Sequence, residues 1–361
     1  MALPFLEKSR KTPDQMVAVD LGGRTTKAVY VQRRGAAYVL NGYTILDAPI
    51  CEKTISPDML AEHLKVLSTN LDPKTKLVTL TVGVNDTVLR HVDMPRIPVS
   101  DMRQVLKLSS KTYLQQDLPG HVFDCHIIPP ANASDSPEGQ KAPTNSQREK
   151  VLVTGVKQQV LGDLVDGAKR AGLVADHVVP GMVSPVNAFE LAEPEDFKSQ
   201  VVALVDIGFR NSTICIVQRG ELVLSRVVPL GGDHMTTNLS ELMKISYAEA
   251  EGIKVGMAQE VESNLTSVLI PLGRELRASI DFYEHQQDKT VGRVYLSGAS
   301  ARSELVFQSL QAELMIECRT WDPSGFLQAE LPAPQAAEFA QVAPQLTVAV
   351  GAAITALTPT N

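Results

Sequence analysis

Apolar and polar positions along the chain fall into two copies of one pattern. Residues 16–21, MVAVDL, form an apolar β-rich run that meets Gly22 and Gly23, and strand character resumes at KAVYV, residues 27–31. Alternation on both sides of a Gly-containing turn predicts a β-hairpin. The same grammar returns in VVALVDIGFRNSTICIVQRGELVLSRVVPL, residues 201–230: an apolar strand ending at Asp206, then Gly208, then two further strands. A later strand, RVYLSG, ends at Gly298 and runs into ASARSELVFQSLQAEL, whose apolar spacing is helical. Two strand–Asp–x–Gly–hairpin units so far apart predict a duplicated α/β architecture whose two tips face one another.

Between the copies, residues 77–95 read as a hairpin, residues 99–118 as a helix opened by Ser100, and residues 121–128 as a strand. Residues 150–173 then give a strand and a helix closed by Gly172. This predicts a small α/β subdomain, residues 77–178, set into the first half. Residues 129–149 contain four prolines and no Val, Leu, Ile, Phe or Met, so burial cannot offset their ordering and a mobile loop is expected. The remaining divisions are a first core subdomain (14–76 plus 179–199), a second (200–235 plus 291–361) and a helical small subdomain (236–290). Residues 346–357, LTVAVGAAITAL, predict a small-residue helix suited to close packing.

Composition narrows the function. The 361 residues carry 34 Lys and Arg against 41 Asp and Glu, a net charge of −7, which gives no footprint for nucleic acid. With 44% hydrophobic and 21% charged residues the chain is globular. Its four cysteines form no CxxC pair, which excludes a zinc knuckle and fits a reducing cytoplasm. The seven histidines show no HxxxH spacing, and Cys215 reads as a small buried hydrophobe. No run approaches the length of a bilayer span and no secretory signal is visible, so a cytoplasmic protein is expected. The N-terminal MALPFLEKSRK mixes apolar and basic residues that can touch a membrane or partner, although a disordered terminus explains it equally.

Candidate chemistry sits at the turns. In DLGGRTTK, residues 20–27, a hairpin tip offers backbone N–H groups at Gly22, Gly23, Arg24 and Thr25 and a cation at Lys27, the equipment for holding phosphate oxygens. Asp20 can hold Mg²⁺ through water. DIGFRNST repeats the arrangement with Asp206, Gly208 and Phe209, so two tips can clamp one phosphate tail. PLGGD supplies a second glycine pair, Gly231 and Gly232, with Asp233. Glu251 and Lys254 share a helix face at i and i+3, which reads equally as a solvent-exposed ion pair. The turn Gly298, Ala299, Ser300 can approach an adenine and ribose. No residue is assignable as general base.

In their order, DLGGRTTK, DIGFRNST, PLGGD, YAEAEGIK, RELRASIDFY and LSGAS resemble the motifs of the actin-like ATPase superfamily, and within it the type IV pilus assembly protein PilM family, with FtsA as a near relative. The resemblance covers about residues 14–357 and includes the place of the inserted subdomain. It implies an actin-like ATPase fold of two related core domains with duplicated ribonuclease H-like motifs and an FtsA/PilM-type insertion. It further implies ATP or ADP with Mg²⁺ as ligands. Asp20 and Asp206 would organise the ion. Gly22 to Thr25, Lys27, Gly208 and Phe209 would lie at the phosphates, and Gly231 to Asp233, Glu251, Lys254 and Gly298 to Ser300 around ribose and base. The implied partner is the cytoplasmic tail of a PilN-like inner-membrane protein, entering a groove between the first core subdomain and the insertion, expected among residues 77–128 and 150–195. Other platform proteins and self-association follow from the same resemblance, as does a location peripheral to the inner membrane. Arg24, Phe209 and Arg210 are bulkier than the family's usual tip residues, which predicts at most a weak ATPase, or a nucleotide-free adaptor. An FtsA-like membrane tether would need a basic amphipathic C-terminal helix, whereas this sequence ends AITALTPTN.

Overall fold

The computed structural model describes residues 12–50, 54–128, 148–256 and 262–358. The N-terminal MALPFLEKSRK and residues 129–147 of the predicted loop lie outside them; Arg148 and Glu149, expected in that loop, begin a strand.

The first half starts with β1 (Gln15–Leu21), β2 (Thr25–Arg34) and β3 (Ala37–Asp47), followed by α1 (Pro57–Leu71) and β4 (Leu77–Val82). Ser56 caps α1 by accepting from the Met59 N–H at 3.3 Å, and Pro57 opens the helix where a missing N–H costs nothing. The chain then builds an inserted unit from β5 (Thr87–Pro95), α2 (Val99–Leu114), β6 (His121–Ile127) and β7 (Arg148–Lys157), and returns through α3 (Gln158–Arg170), β8 (Val174–Pro180), α4 (Ser184–Ala192) and α5 (Pro194–Ser199). The second half comprises β9 (Val201–Ile207), β10 (Ser212–Gln218), β11 (Glu221–Val228), α6 (Gly232–Met243), α7 (Tyr247–Gly256), α8 (Glu262–Gln287), β12 (Arg293–Ser297), α9 (Glu304–Leu314) and β13 (Cys318–Thr320). β14 (Leu327–Ala329), α10 (Ala333–Val342) and α11 (Thr347–Leu357) close the chain.

Sheet topology makes the duplication explicit. The first sheet runs β14-β3-β2-β1-β4-β8 and the second β11-β10-β9-β12-β13. In each, a three-strand antiparallel meander is followed by two parallel strands on the far side of its first strand. The outer face of the first sheet packs on α1 and α3 through Leu60, Leu64 and Leu164; that of the second packs on α8 and α9 through Leu272, Leu276 and Leu310. Parallel strands covered by helices on both faces explain the near-continuous apolar runs in β4, β9 and β12.

Four expectations change. Residues 77–95 do not form a hairpin: β4 belongs to the first sheet and β5 to a separate three-stranded sheet, β5-β7-β6, with the chain changing sheets after Gly83. The insertion is accordingly narrower than 77–178, because β4 and β8 are core strands and α3 covers the core sheet. The helix expected over 99–118 stops at Leu114, and Ser100 is not its cap; Pro98 holds that position. Residues 291–361 do not stay in the second half: β14 pairs in parallel with β3, and α11 lies on β1, β2 and α4.

The small-residue helix does pack closely. A side chain added at Gly351 of α11 would put its Cβ 1.8 Å from the Ser184 carbonyl oxygen on α4. The two helices fill one buried cluster with the inner faces of both sheets, including Met16, Val29, Leu204, Val217, Tyr295 and Trp321. Cys215 is buried there too; its Sγ donates to the Met182 carbonyl at 3.3 Å and burial pushes its pKa to about 12, which makes it an inert core residue. Among the described residues no single helix is long and apolar enough to cross a membrane. Gly351→Val is expected to cost at least about 3 kcal/mol, read as a lowered urea midpoint, because neither backbone can move without opening the shared core.

Candidate functional site

Asp20 and Asp206 are the penultimate residues of β1 and β9, and the hairpin turns that follow, Gly22–Arg24 and Gly208–Arg210, meet tip to tip. A Cβ at Gly23 would lie 3.6 Å from the Phe209 ring and 3.9 Å from Arg210. At the first tip, Lys27 pairs across the hairpin with Asp20, its Nζ 3.2 Å from Oδ2. The Thr81 hydroxyl on β4 donates to Asp20 Oδ1 at 3.4 Å. Gly22 has no room for a side chain, since a Cβ there would stand 2.5 Å from the Thr25 carbonyl oxygen and 3.0 Å from Lys27 Nζ. Burial pulls the Lys27 pKa down, but Asp20 and Asp206 together outweigh it and leave it raised.

On the facing strand, the Ser297 hydroxyl of β12 donates to Asp206 Oδ1 at 2.9 Å. Burial nevertheless drives the Asp206 carboxyl above the ordinary aspartate range, against the pull of Ser297 and Lys27 and with a further push from Asp20. The sequence gives no local signal for Thr81 or Ser297, because each reaches its carboxylate from a neighbouring parallel strand.

Behind the second tip, four segments interlock. The Gly232 N–H donates to the Gly208 carbonyl (3.0 Å) and the Asp233 N–H to the Phe209 carbonyl (2.8 Å), docking the start of α6 on the tip. A Cβ at Gly231 would lie 2.5 Å from the Phe209 oxygen, so that glycine serves the docking. Gly298 adopts φ +93°, and a Cβ there would meet the Ile207 oxygen at 2.4 Å; its small size brings β12 against β9. The Ser300 hydroxyl, in the turn beginning at Ala299, lies 3.2 Å from the Cβ position of Gly232. Asp233 accepts from Tyr247 at 2.7 Å, which with burial lifts the tyrosine to about 12.

Glu251 and Lys254 are not a solvated surface pair. Their side chains are 19% and 12% exposed and 2.7 Å apart, and Lys254 also donates to the Thr236 hydroxyl (2.7 Å) and the Gly232 carbonyl (3.1 Å). Thr236 in turn donates to Glu251. Burial disfavours the Glu251 charge, but Lys254, Thr236 and Arg24 hold its carboxyl below the ordinary range. Arg24 crosses from the first tip to Glu251 at 3.1 Å, with its guanidinium 5.6 Å above the Phe209 ring. The structure therefore gathers the two tips, the start of α6, Glu251 and Lys254 of α7 and the turn after β12 at one place, where Phe209 stacks on an arginine.

On the other face of the first sheet lies a cleft of about 570 Å³. Alternation on β2 separates the two: Lys27 points inward with Val29 and Val31, Thr26 outward with Ala28 and Tyr30. Leu21, Val82, Ile55, Val160 and Leu164 give the outer cleft an apolar lining, while Asp47, Asp86 and Asp163 bring carboxylates. Thr26 is fully buried, yet its hydroxyl finds no hydrogen-bond partner. Of the stretches expected to form a partner groove, only Thr81–Asp86 and Val160–Leu164 reach this cleft.

The protein-family model described as type IV pilus assembly protein PilM matches residues 18–357. The chain belongs to that family. The solved PilM–PilN type IV pilus biogenesis complex superposes with a TM-score of 0.81 at 20% identity, over 96% of this chain and 100% of that one. MreB 5 of Spiroplasma citri bound to AMPPNP gives a TM-score of 0.52 at 10% identity, over 93% of this chain and 94% of that one. The fold is thus the actin-like ATPase fold. FtsA, the cell division protein of Bacillus subtilis strain 168, is 29% identical over 175 residues, 47% of this chain. The chain spans 38% and 41% of the length of the first two curated relatives it matches.

Charge at the tips sets a stability test. Because the Lys27 pKa is raised in the fold, its pairing stabilises at neutral pH and is lost as the pH rises through that value. Ionised Asp206, whose pKa is also raised, costs stability at neutral pH and ceases to as the pH falls through its folded value. Lys27→Met is expected to lose about 3 kcal/mol by leaving two carboxylates uncompensated, whereas Asp206→Asn stays within about 1 kcal/mol of the wild type or above it. Urea unfolding at pH 7 measures both, and the Lys27→Met deficit should shrink in strongly alkaline buffer.

Proposed function

We propose that this chain is a cytoplasmic, ATP- and Mg²⁺-binding scaffold of a type IV pilus inner-membrane platform that docks the cytoplasmic tail of a PilN-like membrane protein. The observation that carries the nucleotide reading is the convergence of two tips from separate halves on Asp20, Lys27 and Asp206. Among the described residues no group of three or more His, Cys, Asp or Glu side chains is placed to hold a metal. Two carboxylates beside a lysine suit Mg²⁺, an ion that keeps several waters and takes few protein ligands. Asp20 and Asp206 would hold it through water, and when bound it would neutralise phosphate charge.

Backbone N–H groups at Gly22 to Thr25 and at Gly208 would receive phosphate oxygens, with Lys27 beneath them. Gly231 to Asp233, Glu251, Lys254 and Gly298 to Ser300 would surround ribose and base. Asp20 is paired with Lys27 and accepts from the Thr81 hydroxyl, and Asp206 accepts from the Ser297 hydroxyl, so each carboxylate already has a partner within the protein. That supports binding with slow hydrolysis at most.

The outer cleft suits an extended segment carrying apolar side chains and a positive charge: an apolar lining, three carboxylates and an unpartnered buried hydroxyl. The PilM–PilN likeness supports assigning it to the tail of a membrane partner, and through that tail the chain would sit at the inner membrane. The contact that Arg24 and Phe209 make between the tips favours a second reading, a nucleotide-free adaptor.

Isothermal titration calorimetry decides between them. ATP with Mg²⁺ is expected to bind the wild type, and Asp20→Asn to weaken that binding at least about tenfold, a loss of about 1.4 kcal/mol. A folded wild type that takes up no ATP leaves the adaptor. For docking, Val160→Arg, on a half-buried part of the cleft wall, is expected to weaken binding of the partner's tail peptide by about tenfold or more while ATP binding is retained; equal affinity would move the tail elsewhere on the surface.

A further inference from the structure

The first tip carries a cation for which the phosphate reading has no use as it stands. Arg24 belongs to the first half, yet its guanidinium stacks over Phe209 of the second tip and its Nη1 reaches Glu251 Oε1 on α7. One side chain thus ties the first tip to two segments of the other half.

That tie is cheap to break. Glu251 already has Lys254 at 2.7 Å on its other oxygen, Oε2, where Thr236 also donates. Arg24 is a second cation on a carboxylate that one cation neutralises, so its departure leaves no buried charge unpaired. Its side chain is 45% exposed, so it can swing without a desolvation penalty. The cleft floor, by contrast, holds Lys27 between Asp20 and Asp206, and a polyanion entering there finds its cation already matched. A planar guanidinium at the rim supplies the paired donors that phosphate oxygens take best.

We propose that Arg24 is an anion-binding residue held in reserve: Glu251 parks it across the cleft, and a polyphosphate seated at the first tip takes it over, undoing the tie to α7. The inference rests on the nucleotide reading above. It makes Glu251 a competitor of the ligand for one side chain, so loading the cleft and releasing the first tip become a single event. Because Arg24 and Phe209 also line the outer cleft, that release alters its wall.

Calorimetry with inorganic tripolyphosphate and Mg²⁺ tests it on the full chain, since this probe has no ribose or base to touch Glu251. Glu251→Gln, which keeps shape and removes the competing charge, is expected to tighten tripolyphosphate binding about two- to fivefold, the scale of a partly exposed ion pair. Arg24→Ser is expected to weaken binding, and in the double variant the gain from Glu251→Gln should vanish. A gain that persists without Arg24, no gain, or tighter binding by Arg24→Ser would each overturn the proposal. Should Glu251→Gln fail to fold, Arg24→Ser alone decides by the same signs, because that side chain is on an exposed turn. ATP binding that is intact and indifferent to Arg24 sinks the reserve role alone, whereas a wild type that binds neither ATP nor tripolyphosphate sinks the nucleotide reading with it.

Discussion

Phe189 on α4 packs edge-on against Tyr295 and Trp321, with ring centroids 4.7 and 5.2 Å away, while Gly351 lets α11 settle onto the backbone of α4. This shared core fixes the two sheets relative to each other, because the inner faces of both are buried on the same pair of helices. Strand ends that would otherwise be unrelated, β1 and β9, are thereby brought to one place. The two aspartates owe their proximity to this apolar packing. Ion pairs between the tips adjust an arrangement that burial has already imposed.

Within that arrangement the electrostatics are divided by face and by depth. The inner face holds one lysine in the field of two carboxylates, each of which also accepts from a strand hydroxyl, Thr81 or Ser297. The rim holds Arg24 in contact with an aromatic ring and a carboxylate that is already paired. Floor charges are partly buried and difficult to separate, while rim charges are exposed and exchangeable. Such a gradient lets a site keep its shape empty while its mouth responds to what enters.

Much of this was legible in the chain. Asp20 and Asp206, each followed by x-Gly and an alternating strand, announced the duplication, and the small residues of 346–357 announced a close helix contact. What stayed hidden depended on parallel neighbours and on returns of the chain. The run 77–95 alternates like a hairpin because both its strands do, yet nothing local says that Gly83 sends them into different sheets. Strand β3 and helix α1 carried no motif and drew no assignment. Glu251 and Lys254 show the spacing of a surface pair; their burial comes from Thr236 and Gly232 on α6. Gly231 and Gly298 were legible as points of close approach, which demands glycine, but not that carbonyls of the chain itself approach them there.

The return of residues 327–357 to the first half bears on how the protein is made. β14 supplies an edge strand to β3, held by the two-pronged pairing of Arg34 with Glu330, and α11 covers β1 and β2. A nascent chain emerging from the ribosome therefore leaves the inner face of β1 and β2 without its α11 cover until residues 347–357 have been synthesised. The N-terminal portion cannot mature as an autonomous folding unit, as leading domains usually do. Both portions must complete together, which makes closure of the first half wait on residues 327–357 and favours assembly of the two halves as one unit.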